Sequence, residues 1–346
     1  MTKNNKIKKV LNGEFVEDIP FSFWSHFPEV DREPELIAEE SYKLYKKYNL
    51  DFIKTMNNGM YATEDFGCII DYSEIESRGV AQIHSTPINS YSDWKSLKQL
   101  SLKSSPALQR ELKYLKLLVE KVDGEVPVVI TVFSPLTIAD KICNGHIQEM
   151  IEEDEAGGLL LKEALEKITE ITREFVEEAI KIGADGIYFA SQLSTFDRLN
   201  QKQYIEYGRP YDLQVLEKAE DGWFNTVHLH GNRIMFDIVK DYPVQAINWH
   251  IGESYPSPRE GQIYSKKVIM GGINRHDVSD SNYNELHHQI YRTIFRTHGK
   301  GLILAPACVI PKPFEDETIQ YLIKVKKETE LIFNSNFLES SLLKFS

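Results

Sequence analysis

A single closed (β/α)8 TIM barrel is the fold class this sequence predicts, and three observations carry the prediction. Eight apolar runs of strand length are separated by stretches of helical periodicity. Alternation of this kind implies a parallel sheet, and eight repeats imply that the sheet closes on itself. Polar side chains gather at the C-terminal ends of the runs, where barrel enzymes keep their chemistry. No glycine-rich phosphate loop follows the first strand, which argues against a doubly wound open sheet. One domain over residues 1–346, with its core over about 6–333, accounts for a chain of 346 residues that is 42% hydrophobic.

Taken in order, residues 18–24 read as a short buried strand ending at Ser25-His26-Phe27-Pro28, and residues 34–48 as a helix through Leu36, Ile37, Ala38, Leu44 and Tyr45. Residues 51–56 form the second strand, closed by Asn57-Asn58-Gly59. The runs 67–72 and 79–84 read as a β-hairpin inserted after that strand. A short helix over 91–100 and a longer one over 106–121 precede residues 126–133, whose unbroken apolar character suits a parallel strand covered on both faces. A long amphipathic helix over 159–182 stops at Gly183, and the remaining strands fall at 185–190, 223–230, 244–249, 267–272 and 301–305. Helices over 201–218, 234–240, 283–297 and 316–333 fill the intervals. The acidic run 149–155 is a solvated face or a helix start.

Composition removes several function classes. With 40 basic against 52 acidic residues and a net charge of −12, the chain offers no basic surface for nucleic acid. No stretch approaches the roughly 20 consecutive apolar residues that a bilayer span requires, and the polar first residues lack a signal-peptide core. A cytoplasmic location is expected. Cys68, Cys143 and Cys308 are too few and too scattered for a disulfide framework.

The candidate site centres on Val227-His228-Leu229-His230-Gly231. Side chains on a strand alternate, so His228 and His230 project from one face. Cys308 closes a later apolar run at the same end of the predicted barrel. Two neutral imidazoles and a thiolate form a ligand set that leaves zinc one open position, so His228, His230 and Cys308 are the expected metal-binding and catalytic residues. A bland alternative is a pair of histidines hydrogen-bonded beneath a loop. Around them the strand ends contribute His26, Asn57, Ser134, Ser191, Gln192, Trp249, His250 and Asn274, which are the expected substrate-binding residues. Glu64 and Asp65 are more simply a solvated acidic pair.

Four segments in this order and spacing carry a resemblance: Ile130-Thr131-Val132-Phe133-Ser134-Pro135-Leu136-Thr137, His228-Leu229-His230-Gly231, Ala246-Ile247-Asn248-Trp249 and Gly271-Gly272-Ile273-Asn274. Together they resemble the uroporphyrinogen decarboxylase superfamily over nearly the whole chain, and the resemblance implies a single (β/α)8 barrel. In the true decarboxylases an arginine-rich first loop holds the substrate carboxylates, and an aspartate after the second strand holds the pyrrole nitrogens. Here the first loop is Trp24-Ser25-His26-Phe27-Pro28-Glu29-Val30-Asp31, and the second is Met56-Asn57-Asn58-Gly59. Lys141 stands where the decarboxylase tyrosine is expected, Cys308 falls in the late histidine region, and Ser191 is retained. Glu29 and Asp31 would repel an eight-carboxylate porphyrinogen.

The sequence is more similar to the methylcobamide:coenzyme M methyltransferase branch, whose zinc site is written His-x-Cys with a distant Cys. Here His228-x-His230 with Cys308 replaces the middle thiolate by imidazole, and zinc accepts either donor. The resemblance implies a zinc-dependent methyltransferase that moves a methyl group between a corrinoid, carried by a partner protein, and a small thiol or other acceptor. A small-molecule substrate, the corrinoid protein and a homodimer are the expected partners. One alternative is a uroporphyrinogen-type decarboxylase in porphyrin biosynthesis. Another is a barrel without catalysis that binds a tetrapyrrole or an aromatic ligand.

Overall fold

Nine strands can be assigned in the computed structural model, which describes residues 1–73, 75 and 81–342. They are β1 (Ile53–Lys54), β2 (Ile69–Asp71), β3 (Gln82–Ser85), β4 (Val128–Phe133), β5 (Gly186–Ser191), β6 (Thr226–Leu229), β7 (Ala246–Trp249), β8 (Val268–Ile273) and β9 (Leu302–Pro306). Seven of them form a parallel sheet in the order β1-β4-β5-β6-β7-β8-β9. Each step to the next strand runs through helix, as parallel pairing requires, and the arrangement is TIM-barrel-like. All six residues of β4, β5 and β8 are buried, so these strands are covered on both faces.

The eighth strand, expected at 18–24, is not regular, and the reason is local. The segment lies between the two edges of the sheet and bonds to both sides: the Ser22 amide donates to the Leu304 carbonyl at 3.2 Å, the Leu304 amide to Pro20 at 2.8 Å, and the Asp51 amide to Phe21 at 2.9 Å. Pro20 has no N–H to give a ladder. The neighbouring amides are taken by side chains, Ile19 by Glu330 Oε1 at 2.6 Å and Phe21 by Asp51 Oδ2 at 2.9 Å. What remains is isolated bridges, Phe21 with Leu304 and Ser25 with Ile310.

Strands β2 and β3 pair antiparallel with a register shift between Ile69 and Ile70; Gly79 and Val80, part of the inserted hairpin expected over 67–84, lie outside the described residues. Helices occupy Pro34–Tyr48, Pro106–Val122, Leu160–Ile182 and Tyr283–Thr297. Gly183 ends the longest of them at φ 116°, a left-handed conformation that costs glycine little. The helix expected over 201–218 breaks into Gln201–Tyr207 and Arg209–Glu217, because Pro210 cannot continue the hydrogen-bond ladder of the first. The acidic run lies on the helix Ile147–Glu155, which buries Ile147, Met150, Ile151 and Asp154.

Gly186 opens β5 where backbones approach closely: a Cβ there would sit 2.3 Å from the Phe224 carbonyl oxygen. Backbone cannot retreat as a side-chain tip can. Gly186→Ala is therefore expected to lower stability by about 2–3 kcal/mol, measured by urea denaturation; an unchanged midpoint would contradict the close approach.

Candidate metal centre

The site is built by register. Strands β6 and β7 run parallel with His228 opposite Asn248 and Leu229 opposite Trp249. Alternation then sends His228, His230, Asn248 and His250 to the same, inner face, and the His230 and His250 rings meet with centroids 4.6 Å apart. Cys308, just beyond β9, reaches them from the far side of β8. Its Sγ lies 3.7 Å from His228 Nε2 and 4.0 Å from His230 Nδ1. One ligand atom from each of His228, His230, His250 and Cys308 lies within 4.8 Å of all the others. A tetrahedral zinc shell with ordinary Zn–N and Zn–S bonds has ligand-to-ligand separations of about 3.3–3.6 Å, so closing this set needs shifts of about an ångström or less.

Asn248 sets the orientation of the centre. Its amide nitrogen donates to the Met270 carbonyl at 2.8 Å and the Pro306 carbonyl at 3.2 Å, which leaves Oδ1 facing inward. Oδ1 accepts from the Tyr188 hydroxyl at 2.7 Å and from His228 Nδ1 at 2.5 Å. With Nδ1 carrying a proton, His228 Nε2 presents its lone pair toward Cys308, the tautomer a metal ligand needs. His250 Nε2 is buried without a hydrogen-bond partner, and the cost of leaving such an atom unpaired marks it as a site for a missing partner. The other nitrogen of that ring stands 3.6 Å from the Glu253 carboxylate, which also accepts from Asn274.

The electrostatics agree. Burial opposes ionisation of the Cys308 thiol, but the neighbouring His228 and hydrogen bonds from His228 and His230 outweigh it and hold the thiol well below its ordinary value. Burial pushes His228 down, toward its neutral form. A divalent cation at this spot would compete with protons for both Sγ and Nε2. By contrast, burial pushes the Cys68 thiol up and the Cys143 thiol up to about 12.

The centre opens into a cavity of about 260 Å³ whose lining includes Trp24, His26, Lys54, Asn57, Phe133, Lys141, Tyr188 and Gln192. Burial, reinforced by Lys54, holds His26 down at about 4. Asn57 donates to Glu111 Oε2 at 2.6 Å. Four other expected residues lie outside the cavity lining. Ser134 caps the helix Pro135–Ile142, Ser191 shares a hydrogen bond with Tyr204, Trp249 is buried on the outer face of β7 donating to the Pro256 carbonyl, and Asn274 caps the helix Arg275–Ser279. Sequence reasoning took His250 as a substrate contact and passed over Asn248, Lys54 and Tyr188. The signal was a polar residue inside an apolar strand run, at Asn248 and at Lys54.

A TIM-barrel-like protein with a His3Cys cluster at the C-terminal rim of its sheet is thus the class that fold and site define. More particularly, the chain belongs to the uroporphyrinogen decarboxylase (URO-D) family, whose model matches residues 2–329. Among solved structures it is similar to a methyltransferase from Methanosarcina mazei, with a TM-score of 0.80 and 17% identity, over 95% of this chain and 99% of that one. It is also similar to a B12-independent methionine synthase from Shewanella sp. W3-18-1, with a TM-score of 0.53 and 14% identity, over 95% and 96%. At these identities the likeness is one of fold. Among proteins of curated function, none matches this sequence.

The cysteines give a direct test. In metal-free protein at pH 7, Cys308 is expected to react with iodoacetamide well before Cys68 or Cys143, and lowering the pH should slow it only as the solution nears its depressed thiol value. Mass spectrometry of the alkylated peptides measures this; equal labelling of all three would contradict the assignment.

Proposed function

We propose that this chain is a zinc-dependent methyltransferase that moves a methyl group between a corrinoid carried by a partner protein and a small thiol. The observation that carries the reading is the convergence of Cys308 Sγ with His228 Nε2 and His230 Nδ1 at 3.7 and 4.0 Å, beside the orphaned His250 Nε2. The donor set suits zinc: nitrogen and sulfur, with no buried carboxylate among them. His228, His230 and Cys308 would hold the ion, with His250 as a fourth donor that a substrate thiol would displace. When bound, zinc supplies a Lewis acid that keeps a substrate thiol as the thiolate at neutral pH.

The rest is done by the chain. Asn248 fixes His228 in the ligating tautomer and Tyr188 buttresses the same oxygen. Trp24, Phe133 and Tyr188 line the cavity beside the centre, and apolar walls exclude water from a bound thiol. The fold's likeness to a methyltransferase over nearly its full length agrees with this reading.

A decarboxylase acting on an acidic substrate is the second reading, and Lys54, Lys141 and Arg275 in the same cavity favour it. A volume of about 260 Å³ weighs against a tetrapyrrole, since pockets for smaller, drug-sized ligands already run to roughly 300–1,000 Å³. Coproporphyrinogen formed in an anaerobic assay with uroporphyrinogen would favour this second reading over the first.

Purified protein is expected to carry about one zinc per chain, and Cys308→Ser and His228→Ala to lose it. Asn248→Leu should weaken zinc binding by about 10- to 100-fold while keeping all four donors. Metal analysis and chelator competition measure both. Wild type without zinc at any useful stoichiometry overturns the reading.

A further inference from the structure

A second cavity, of about 510 Å³, opens at the other end of the sheet. Val244 and Gln245 on its wall lead into β7 and Gly301 leads into β9, whereas His250 and Cys308 follow those same strands. Among the described residues, none lines both this cavity and that of the metal centre.

Four cations line the second cavity, Arg259, Lys266, Lys267 and Lys300, and no carboxylate does. In a chain of 52 acidic against 40 basic residues, such a grouping runs against the overall charge. Among the described residues none of the four forms an ion pair, and Asp241, whose field reaches Lys267, stands outside the lining. The acceptors that would repel an anion are already taken. Gln262 Nε2 donates to the Lys300 carbonyl at 2.7 Å and the Gly301 carbonyl at 2.9 Å, and Lys267 Nζ donates to the Val244 carbonyl at 3.0 Å. Arg259 Nη1 donates to the remaining side-chain oxygen of Gln262 at 3.3 Å. An ammonium or a guanidinium has several N–H groups, so each of the four cations keeps donors free.

Helix electrostatics does not account for the grouping. Lys266 caps the C-terminus of the helix Pro258–Ser265, where a cation is favourable, but Arg259 sits in the first turn of that helix, where it is not. Like charges gathered this way repel one another, and burial pushes the half-buried Lys267 ammonium down. A bound anion relieves both costs. The volume is more than a lone phosphate fills and lies within the roughly 300–1,000 Å³ of small-molecule sites. No aromatic side chain lines it, so it offers a nucleobase nothing to stack on.

We infer that Arg259, Lys266, Lys267 and Lys300 form a binding site for a small phosphorylated molecule bearing at least two phosphate groups, apart from the metal centre. The inference is independent of the methyl-transfer reading. Because the site lies at the opposite end of the strands, its occupant does not compete with a substrate for the metal.

The test titrates the full-length protein in a calorimeter with fructose, fructose 6-phosphate and fructose 1,6-bisphosphate, so that the sugar stays constant while the phosphate count rises. Each phosphate is expected to tighten binding at least about tenfold. Arg259→Gln and Lys300→Gln, both at exposed positions, should each weaken binding of the bisphosphate by about tenfold. Both variants should melt with wild type, which separates loss of the site from loss of the fold. Lys300→Arg should bind as wild type does, and so should Lys98→Gln, which changes an exposed lysine outside the cavity. No binding of the bisphosphate at millimolar concentration, equal affinity for the three sugars, or an affinity unchanged in both Arg259→Gln and Lys300→Gln overturns the inference. An equal loss in Lys98→Gln overturns it too, because the attraction would then belong to the surface as a whole.

Discussion

The register between β6 and β7 is the constraint on which the rest of the site depends. Pairing His228 with Asn248 places an amide where it can lock one imidazole, and two residues further along the same strands it places His230 against His250. A slip of either strand by one residue would turn its own pair to the outer face, bringing Leu229 or Trp249 inward in its place. Those two residues guard the register from the other side, since both are fully buried among apolar neighbours. The core therefore enforces the site: the packing that holds Trp249 outside is what holds Asn248 and His250 inside.

Asn248 converts that geometry into chemistry. Its amide reaches four other strands, bonding carbonyls of β8 and β9 while its oxygen serves Tyr188 of β5 and His228 of β6. A buried network of this kind is stable only when every member is satisfied, and here the satisfied network ends at His228 Nε2 and Cys308 Sγ. Beyond them the pairing stops. His250 Nε2, Arg275 Nε and Asp31 Oδ1 are buried without partners, and all three belong to the centre or to its cavity. They are three of the nine buried side-chain atoms without partners among the described residues, and at this centre a ligand would relieve the cost of leaving them unpaired.

Much of this was legible in the sequence, because the strong signals were local. Periodicity placed the helices Pro34–Tyr48 and Tyr283–Thr297 at their observed ends, and strand alternation brought His228, His230 and Cys308 to one spot. The irregular first strand was hidden because its amides are taken by Asp51 and Glu330, residues distant in the chain from Ile19 and Phe21. His250 read as a rim residue because its neighbour in space, His230, follows from inter-strand register, which periodicity within one strand does not contain. Lys54 was absorbed into an apolar run, although a charged residue there is itself a signal. Ser134 and Asn274 were drawn into the site by sitting at strand ends, where helix caps also belong.

Zinc K-edge absorption spectroscopy on the metal-loaded protein tests the central claim most directly, because it reports the donors themselves. The account predicts a nitrogen shell dominated by imidazole at about 2.0–2.1 Å with a single sulfur at about 2.3 Å, the sulfur contribution vanishing in Cys308→Ser. A shell of oxygen donors, or one with no sulfur in the wild-type protein, would contradict it.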